Sequence, residues 1–365
     1  MSHQFSRRSL LTKYLPAIGM VLSPPVLNHL FAAGRPKGLT SRGVVLTVDD
    51  LATLDWPRLA KDAGLTTIGT HVTPSQVAGF VQSDKGQKFL ADCKKYNLHV
   101  EHELHAMKDL LPRDLFEKNP DMFRMSKEGV RVPDFNSCAH SAKALNIIAE
   151  NALKYAHLLP STTGRYFYWM DDGAPMCYCE HCKDFSESEQ ALLIENAIIK
   201  KLRRKIPGAT LAHLAYVSTM KPPQKVEPEK GVFLEFAPIY RSWAKPLNDV
   251  AALPDINMPD DGAQLPHGKT LELLKSNLQV FPAETAQVLE YWLDVSLQSR
   301  WEKPAVKLSW HPEVCDSDVN TYTSLGIHHV TSFAAYINAD YQKMYGDLSF
   351  IKEYGRILKK YAIKK

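Results

Sequence analysis

No stretch of the sequence runs for the ~20 uninterrupted apolar residues that a membrane-spanning helix needs. No Gly-rich phosphate loop follows any of its apolar runs, and no cluster of Lys and Arg with interleaved aromatics occurs. The first absence argues against a stable membrane anchor. The second argues against a nucleotide-binding, doubly wound sheet, and the third against a nucleic-acid partner. Cysteine is sparse, with Cys93, Cys138, Cys177, Cys179, Cys182 and Cys315 the only six. What is there is an ordinary globular composition, 45% hydrophobic and 23% charged over 365 residues, long enough for one large domain or two small ones.

The N-terminal residues read as an address rather than as fold. Ser6-Arg7-Arg8-Ser9-Leu10-Leu11 and Lys13 precede an apolar run from Tyr14 to Ala33 that is broken by Pro16, Pro24, Pro25, Asn28 and His29. A twin arginine, a moderately apolar stretch and the small residues Ala32, Ala33 and Gly34 look like a twin-arginine (Tat) export signal. Residues 1–38 are therefore expected to be signal and linker, with the Tat export machinery as partner and the periplasm or exterior as destination. These residues carry five of the 44 basic residues and no acid, so the remainder holds 39 basic against 40 acidic residues, a net of −1. The basic excess belongs to the leader. Export permits disulfides, but Tat substrates often fold before transport, sometimes around a bound metal, so a zinc site stays open.

From residue 39 onward, short β-branched and aromatic runs alternate with longer amphipathic segments. Strands are expected at 44–48, 66–72, 98–105, 165–170, 211–216, 232–236, 288–292 and 329–334. Helices are expected at 56–63, 82–96, 142–157, 186–205 and 269–281, with a terminal one running through Tyr354. A proline-containing excursion at about 107–141 reads as a functional insertion or lid. Eight strands with intervening helices predict an α/β fold, a single (β/α)8 TIM barrel spanning 39–365.

A TIM barrel carries its site at the C-terminal strand ends. In order these are Asp49-Asp50, His71, Glu103 with His105, Asp171-Asp172-Gly173, Tyr216, Glu235 followed by Tyr240 and Arg241, and Glu290 with Trp292 and Asp294. Trp310 and His311 lie before the eighth strand. Glycosidic cleavage needs a proton donor and a second group for the oxocarbenium-like centre. Two carboxylates in unlike surroundings supply both without a cofactor, and Trp169, Tyr216, Trp292 and Trp310 could stack on sugar faces. Asp49 and Asp50 fit helix caps equally well, and of Tyr168 and Trp169 at least one is expected to be plain core. Glu235 and Glu290 lie inside apolar strands and must find partners there.

Cys177-Tyr178-Cys179-Glu180-His181-Cys182 follows the Asp pair. Three cysteines in six residues suit a structural zinc site completed by Cys138 or His181, or disulfides among themselves or with Cys138. Tyr166 to Cys182 (YFYWMDDGAPMCYCEHC), with Asn196, Pro207 and His213-Leu214-Ala215-Tyr216 beyond it, resembles the family catalogued as domain of unknown function 4838. Glu103-Leu104-His105, the region of Asn119, Pro120 and Phe123, and Asn136-Ser137-Cys138 add to the likeness. The resemblance implies an exported bacterial protein with a glycoside-hydrolase-like barrel, distantly similar to α-glucuronidases and hexosaminidases. By similarity to the acid pair of substrate-assisted hexosaminidases, Asp171 would orient a 2-acetamido group and Asp172 would be the acid. The competing scheme pairs Asp172 with Glu235 or Glu290.

Three functions are thus expected in order: a hydrolase of a polysaccharide or oligosaccharide, uronic-acid-containing or N-acetylated; a non-catalytic carbohydrate-binding barrel; and a metal-dependent hydrolase using His71, Glu103, His105 and Asp172.

Overall fold

The computed structural model describes residues 38–255 and 265–363. The expected export signal lies outside them. Eight strands close into one parallel barrel in chain order: β1 Ser41–Thr47, β2 Thr67–His71, β3 His99–His105, β4 Arg165–Trp169, β5 Thr210–Ala215, β6 Val232–Phe236, β7 Gln287–Glu290 and β8 His329–Phe333. β1 pairs β2 on one side and β8 on the other, with Gly43 opposite both Thr67 and Thr331. The TIM barrel read from the sequence is the fold, and all eight strands lie where the apolar runs put them. Among the described residues no helix is long and apolar enough to cross a membrane.

Local chemistry fixes the helices between strands. Helix Trp56–Ala63 starts at Asp55, whose side chain accepts from the Arg58 N–H, and stops at Gly64 in the left-handed conformation (φ 76°). Helix Glu187–Lys205 opens on a reciprocal Ser186–Glu189 capping box and ends on Arg203, Arg204 and Lys205, each end matched to the helix dipole. Two helical expectations needed revision. The helix expected at 82–96 is Asp84–Lys95, capped by Ser83, and an unexpected helix, Pro74–Gln82, precedes it. The terminal helix is two, Ala339–Tyr345 and Ser349–Lys360, parted at Gly346 (φ 72°). A further helix, Pro312–Ser324, fills the segment before β8.

Strand alternation sorts the core into two compartments. Val45, Phe167, Trp169, Phe233, Leu289 and Tyr291 cluster inside the barrel. Tyr166, Tyr168 and Val288 pack outward with the helices, where Tyr168 donates its hydroxyl to the Ala152 carbonyl at 3.1 Å. Of the aromatic pair in β4, Tyr168 is therefore the plain core residue.

The same alternation turns Glu290 outward, away from the barrel mouth. It lies fully buried against Arg241, whose Nη1 donates to Glu290 Oε1 at 2.6 Å while Nη2 meets Asp318 Oδ2 at 2.7 Å. Tyr322 donates its hydroxyl to the same Glu290 oxygen. Trp292 Nε1 donates to Asp318 Oδ2 at 3.0 Å. Burial pushes the Glu290 carboxyl up to about 7, against the pull of Arg241. Three expected site residues, Glu290, Arg241 and Trp292, are thus a buried brace between the barrel wall and the helix Pro312–Ser324.

Breaking such a brace from one side strands a charge in low dielectric, at a cost of ~3–5 kcal/mol. Arg241→Met is expected to lower unfolding stability by about that amount in urea titration. Unchanged stability would show that the two carboxyls find other relief.

Candidate active site

A cleft of about 270 Å³ opens over the C-terminal ends of the strands. Its floor is aromatic. The Trp169 ring, at the end of β4, lies 5.7 Å from the ring of His71 and 5.2 Å from that of His105, and the two imidazoles are 5.5 Å apart. His71 Nδ1 lies 2.7 Å from the Glu103 carbonyl oxygen, and His105 Nδ1 lies 2.7 Å from that of Met170. A carbonyl only accepts, so both rings carry hydrogen on Nδ1, and in the neutral ring Nε2 is the acceptor. Burial, reinforced by the neighbouring His105, lowers His71 to about 3, so this ring stays uncharged.

Two carboxylates flank the floor in unlike surroundings. Asp172, just past β4, is exposed and hydrogen-bonds the Tyr216 side chain. Asp294, beyond β7, is buried, and its Oδ1 accepts from Ser296 Oγ at 2.6 Å and from the Leu297 N–H at 3.2 Å. Burial outweighs these bonds and raises Asp294 to about 6. Tyr291 stands close to both acids, and its own proton is held firmly by burial and by their charges. The structure therefore keeps Asp172, Tyr216, Trp169, His71 and His105 together at the mouth. It adds Asp294, which the strand-end reading named without singling it out.

The opposite wall was not legible in the sequence. Trp301 and Tyr336 both line the cleft with left-handed backbone (φ 59° and 69°), a conformation that costs a bulky residue about 1–3 kcal/mol and gathers at functional sites. The Tyr336 hydroxyl donates to the Trp301 carbonyl at 3.0 Å. Trp301 remains 55% exposed, an open aromatic face. Asp50 sits behind this wall. Its Oδ2 accepts from the Thr47 hydroxyl at 2.7 Å and the Tyr336 N–H at 3.3 Å, so it is a cap that also anchors Tyr336. Asp49 is an exposed partner of Lys303.

Glu103 and Glu235, expected at the rim, lie beneath the floor. Glu103 points inward two residues before His105, roughly 7 Å lower at the rise of a β-strand, and Glu235 meets it at that level, under the Trp169 indole. Trp169 Nε1 donates to Glu235 Oε2 at 2.8 Å, and Gln287 Nε2 donates to Glu235 Oε1 at 3.0 Å. Glu103 hydrogen-bonds Glu235, and burial together with that neighbour raises its pKa well above the ordinary 4.5. Burial pushes Glu235 to about 8. Arg165 closes the layer below, 3.6 Å from Glu101 and 3.8 Å over the Phe233 ring. Gly69 makes this layer possible, since a Cβ there would stand 2.8 Å from Glu103 Oε1.

Other expected residues also lie elsewhere. Asp171 turns from the cleft toward the insertion, meeting Arg113 Nη2 at 3.2 Å and the Lys108 N–H at 3.3 Å, and borders only a side recess of about 30 Å³. Tyr240 packs against the inner apolar cluster. Trp310 donates to Glu353 at 2.8 Å, and His311 Nε2 lies 2.9 Å from Ser309 Oγ at the start of helix Pro312–Ser324; neither lines the cleft. With Glu103 turned down, the set His71, Glu103, His105 and Asp172 does not converge as metal ligands. Among the described residues the convergent set is Cys138, Cys177, Cys179 and Cys182.

Residues 75–258 match the family described as "Domain of unknown function (DUF4838)". No curated protein matches the sequence. Among solved structures, the chain is similar to a β-N-acetylhexosaminidase from Bacteroides fragilis NCTC 9343, at 11% identity and TM-score 0.53, over 91% of this chain and 67% of that one. It is also similar to a GH5-4 broad-specificity endoglucanase from an uncultured bacterium, at 11% identity and TM-score 0.49, over 91% and 99%. A Group II chitinase catalytic domain from Ostrinia furnacalis is similar at 9% identity and TM-score 0.49, over 88% and 96%. At such identities the likeness is one of fold, a glycoside-hydrolase-like barrel.

The sealed acid layer has a pH signature. The fold favours neutral Glu103, whereas the unfolded chain ionises it above about 4.5. Its contribution to stability is therefore intact below 4.5 and lost as pH rises, and Glu235 adds the same sign up to about 8. Glu103→Gln keeps a donor toward Glu235 and needs no proton. Urea titrations are expected to show it gaining stability over the parent at pH 8, with the gain shrinking toward pH 4.5. An offset constant with pH would contradict the assignment.

Proposed function

We propose that this chain, which belongs to the family described as "Domain of unknown function (DUF4838)", hydrolyses glycosidic bonds of an oligosaccharide or polysaccharide, with Asp294 as proton donor and Asp172 as its carboxylate partner. The reading rests on one observation: two carboxyl groups in unlike surroundings share a single aromatic-lined rim cleft. Asp294, raised to about 6 by burial, keeps its proton at mildly acidic pH and can deliver it to a leaving oxygen. Exposed Asp172, hydrogen-bonded by Tyr216, is suited to bear charge opposite the anomeric centre or to activate water. Trp301 and Tyr336 offer ring faces to the C–H surface of a sugar, and Trp169 supports the two imidazoles from below. The Nε2 atom of His71, whose ring stays neutral, offers an acceptor to the sugar's hydroxyls, and the His105 ring lines the same cleft.

The lining also bears on the sugar. Among the described residues no Lys or Arg lines the cleft, and His71 stays neutral. A uronic acid would thus bring a third carboxylate beside Asp172 and Asp294 without a lysine or arginine in the lining to meet it. Neutral and N-acetylated sugars are the better substrates on this ground. The twin arginine at Arg7 and Arg8 supports export to the periplasm or exterior, which Arg7→Lys with Arg8→Lys would block in a fractionation experiment.

The activity test is a panel of neutral, N-acetylated and uronic-acid oligosaccharides. Turnover is expected on the first two classes, with Asp294→Asn and Asp172→Asn each lowering kcat by ~10²–10⁴-fold. Unchanged turnover in both variants would remove the site assignment. Binding of the panel without any turnover would instead identify a carbohydrate-binding barrel.

A further inference from the structure

Cys138, at the end of the insertion, meets Cys177, Cys179 and Cys182 of the segment after β4. All four are buried, and their sulfurs lie within 4.8 Å of one another. The Cys138 Sγ atom stands 3.7 Å from that of Cys179 and 3.8 Å from that of Cys182. A disulfide needs ~2.05 Å. Four sulfurs at the ~2.3 Å of a zinc–thiolate bond stand roughly 3.8 Å apart along the edges of the tetrahedron. The two spacings from Cys138 match edges of such a tetrahedron, and all four sulfurs lie within reach of one ion.

We infer that these four cysteines bind one zinc ion as a closed, structural tetrathiolate site that latches the insertion to the Asp172 segment. Binding displaces the four thiol protons, and Zn²⁺ with four thiolates leaves a centre of net charge −2. Donors for that charge are in place. The Met125 N–H points to Cys177 Sγ at 3.3 Å, Arg131 Nη1 to the same sulfur at 3.6 Å, and His140 Nδ1 lies 3.4 Å from Cys182 Sγ. Such surrounding groups orient ligands and offset their charge. Gln190 fixes the frame, accepting from the Cys177 N–H at 3.0 Å and donating to the carbonyls of Cys177 and Cys182 at 3.1 and 3.3 Å. Four protein ligands leave no open position for substrate.

The latch reaches the cleft through Asn136, two residues before Cys138. Its Oδ1 accepts from the Asp171 N–H at 2.9 Å, and its Nδ2 donates to the Ala174 and Pro175 carbonyls, both at 3.2 Å. These bonds bracket Asp172. Zinc binding would therefore order both the insertion and one of the two rim carboxylates, while the barrel holds through its own core.

Elemental analysis of the purified full chain is expected to give one zinc per chain, released in step with thiol modification. Cys179→Ser should lose that zinc and become cleavable by protease within 107–141 and 171–183, with the far-UV circular dichroism of the barrel retained. Cys93→Ala, remote from the cluster, should keep the metal. Should Cys179→Ser fail to fold, cobalt exchanged into the unmodified chain supplies the readout, as the intense visible bands of tetrahedral tetrathiolate cobalt. Iron in place of zinc, four freely titrating thiols with no metal, disulfide-linked peptides among the four, or zinc retained by Cys179→Ser would each overturn the inference.

Discussion

The hydrogen bond from the Trp169 indole to Glu235 divides the barrel into two electrostatic worlds. Below it, Glu101, Glu103 and Glu235 share one arginine, Arg165, in a space closed to water, and the fold keeps Glu103 neutral there. Above it, the same indole is the floor of an open cleft. Water admitted through the floor would ionise the layer and undo the geometry of the mouth. Buried polar networks of this kind carry high stakes, because each unpaired member is costly, and here Arg165 Nε is left without a hydrogen-bond partner.

The rim exploits a second contrast. Asp172 and Asp294 are the same residue type, yet one faces solvent and the other lies buried with its Oδ1 engaged by Ser296 and Leu297. Opposing environments for like groups are how one site holds both a proton and a charge. The wall facing them is kept in unfavourable backbone geometry at Trp301 and Tyr336, secured from behind by Asp50. Outside the barrel, the Arg241 brace ties the wall at Glu290 to the helix Pro312–Ser324.

How much of this could be read in advance follows from what local sequence encodes. The strands were legible because buried parallel strands are short apolar runs bounded by turns. Asp172, Tyr216, His71 and His105 were legible because they terminate those runs. Glu235 and Glu103 were placed too high, since a strand's sequence does not reveal how far it projects past the barrel layer. Glu290 was named as a strand-end candidate, but so short a strand offers too little alternation to show that it faces outward, toward Arg241. Trp301 and Tyr336 gave no signal, as their place depends on left-handed turns in loops. The cysteine spacing announced a cluster, and only the fold brought Cys138 to within 3.7 Å of Cys179.

The central claim is that the carboxylates of the rim, and not those beneath the floor, meet the glycosidic bond. A crystal structure of the Asp294→Asn variant soaked with an N-acetylated or neutral oligosaccharide tests it most directly. The account predicts a sugar ring against Trp301, its glycosidic oxygen within hydrogen-bond reach of residue 294 and its anomeric carbon facing Asp172. A sugar bound away from both residues, or one that displaces Trp169 to reach Glu235, would contradict it.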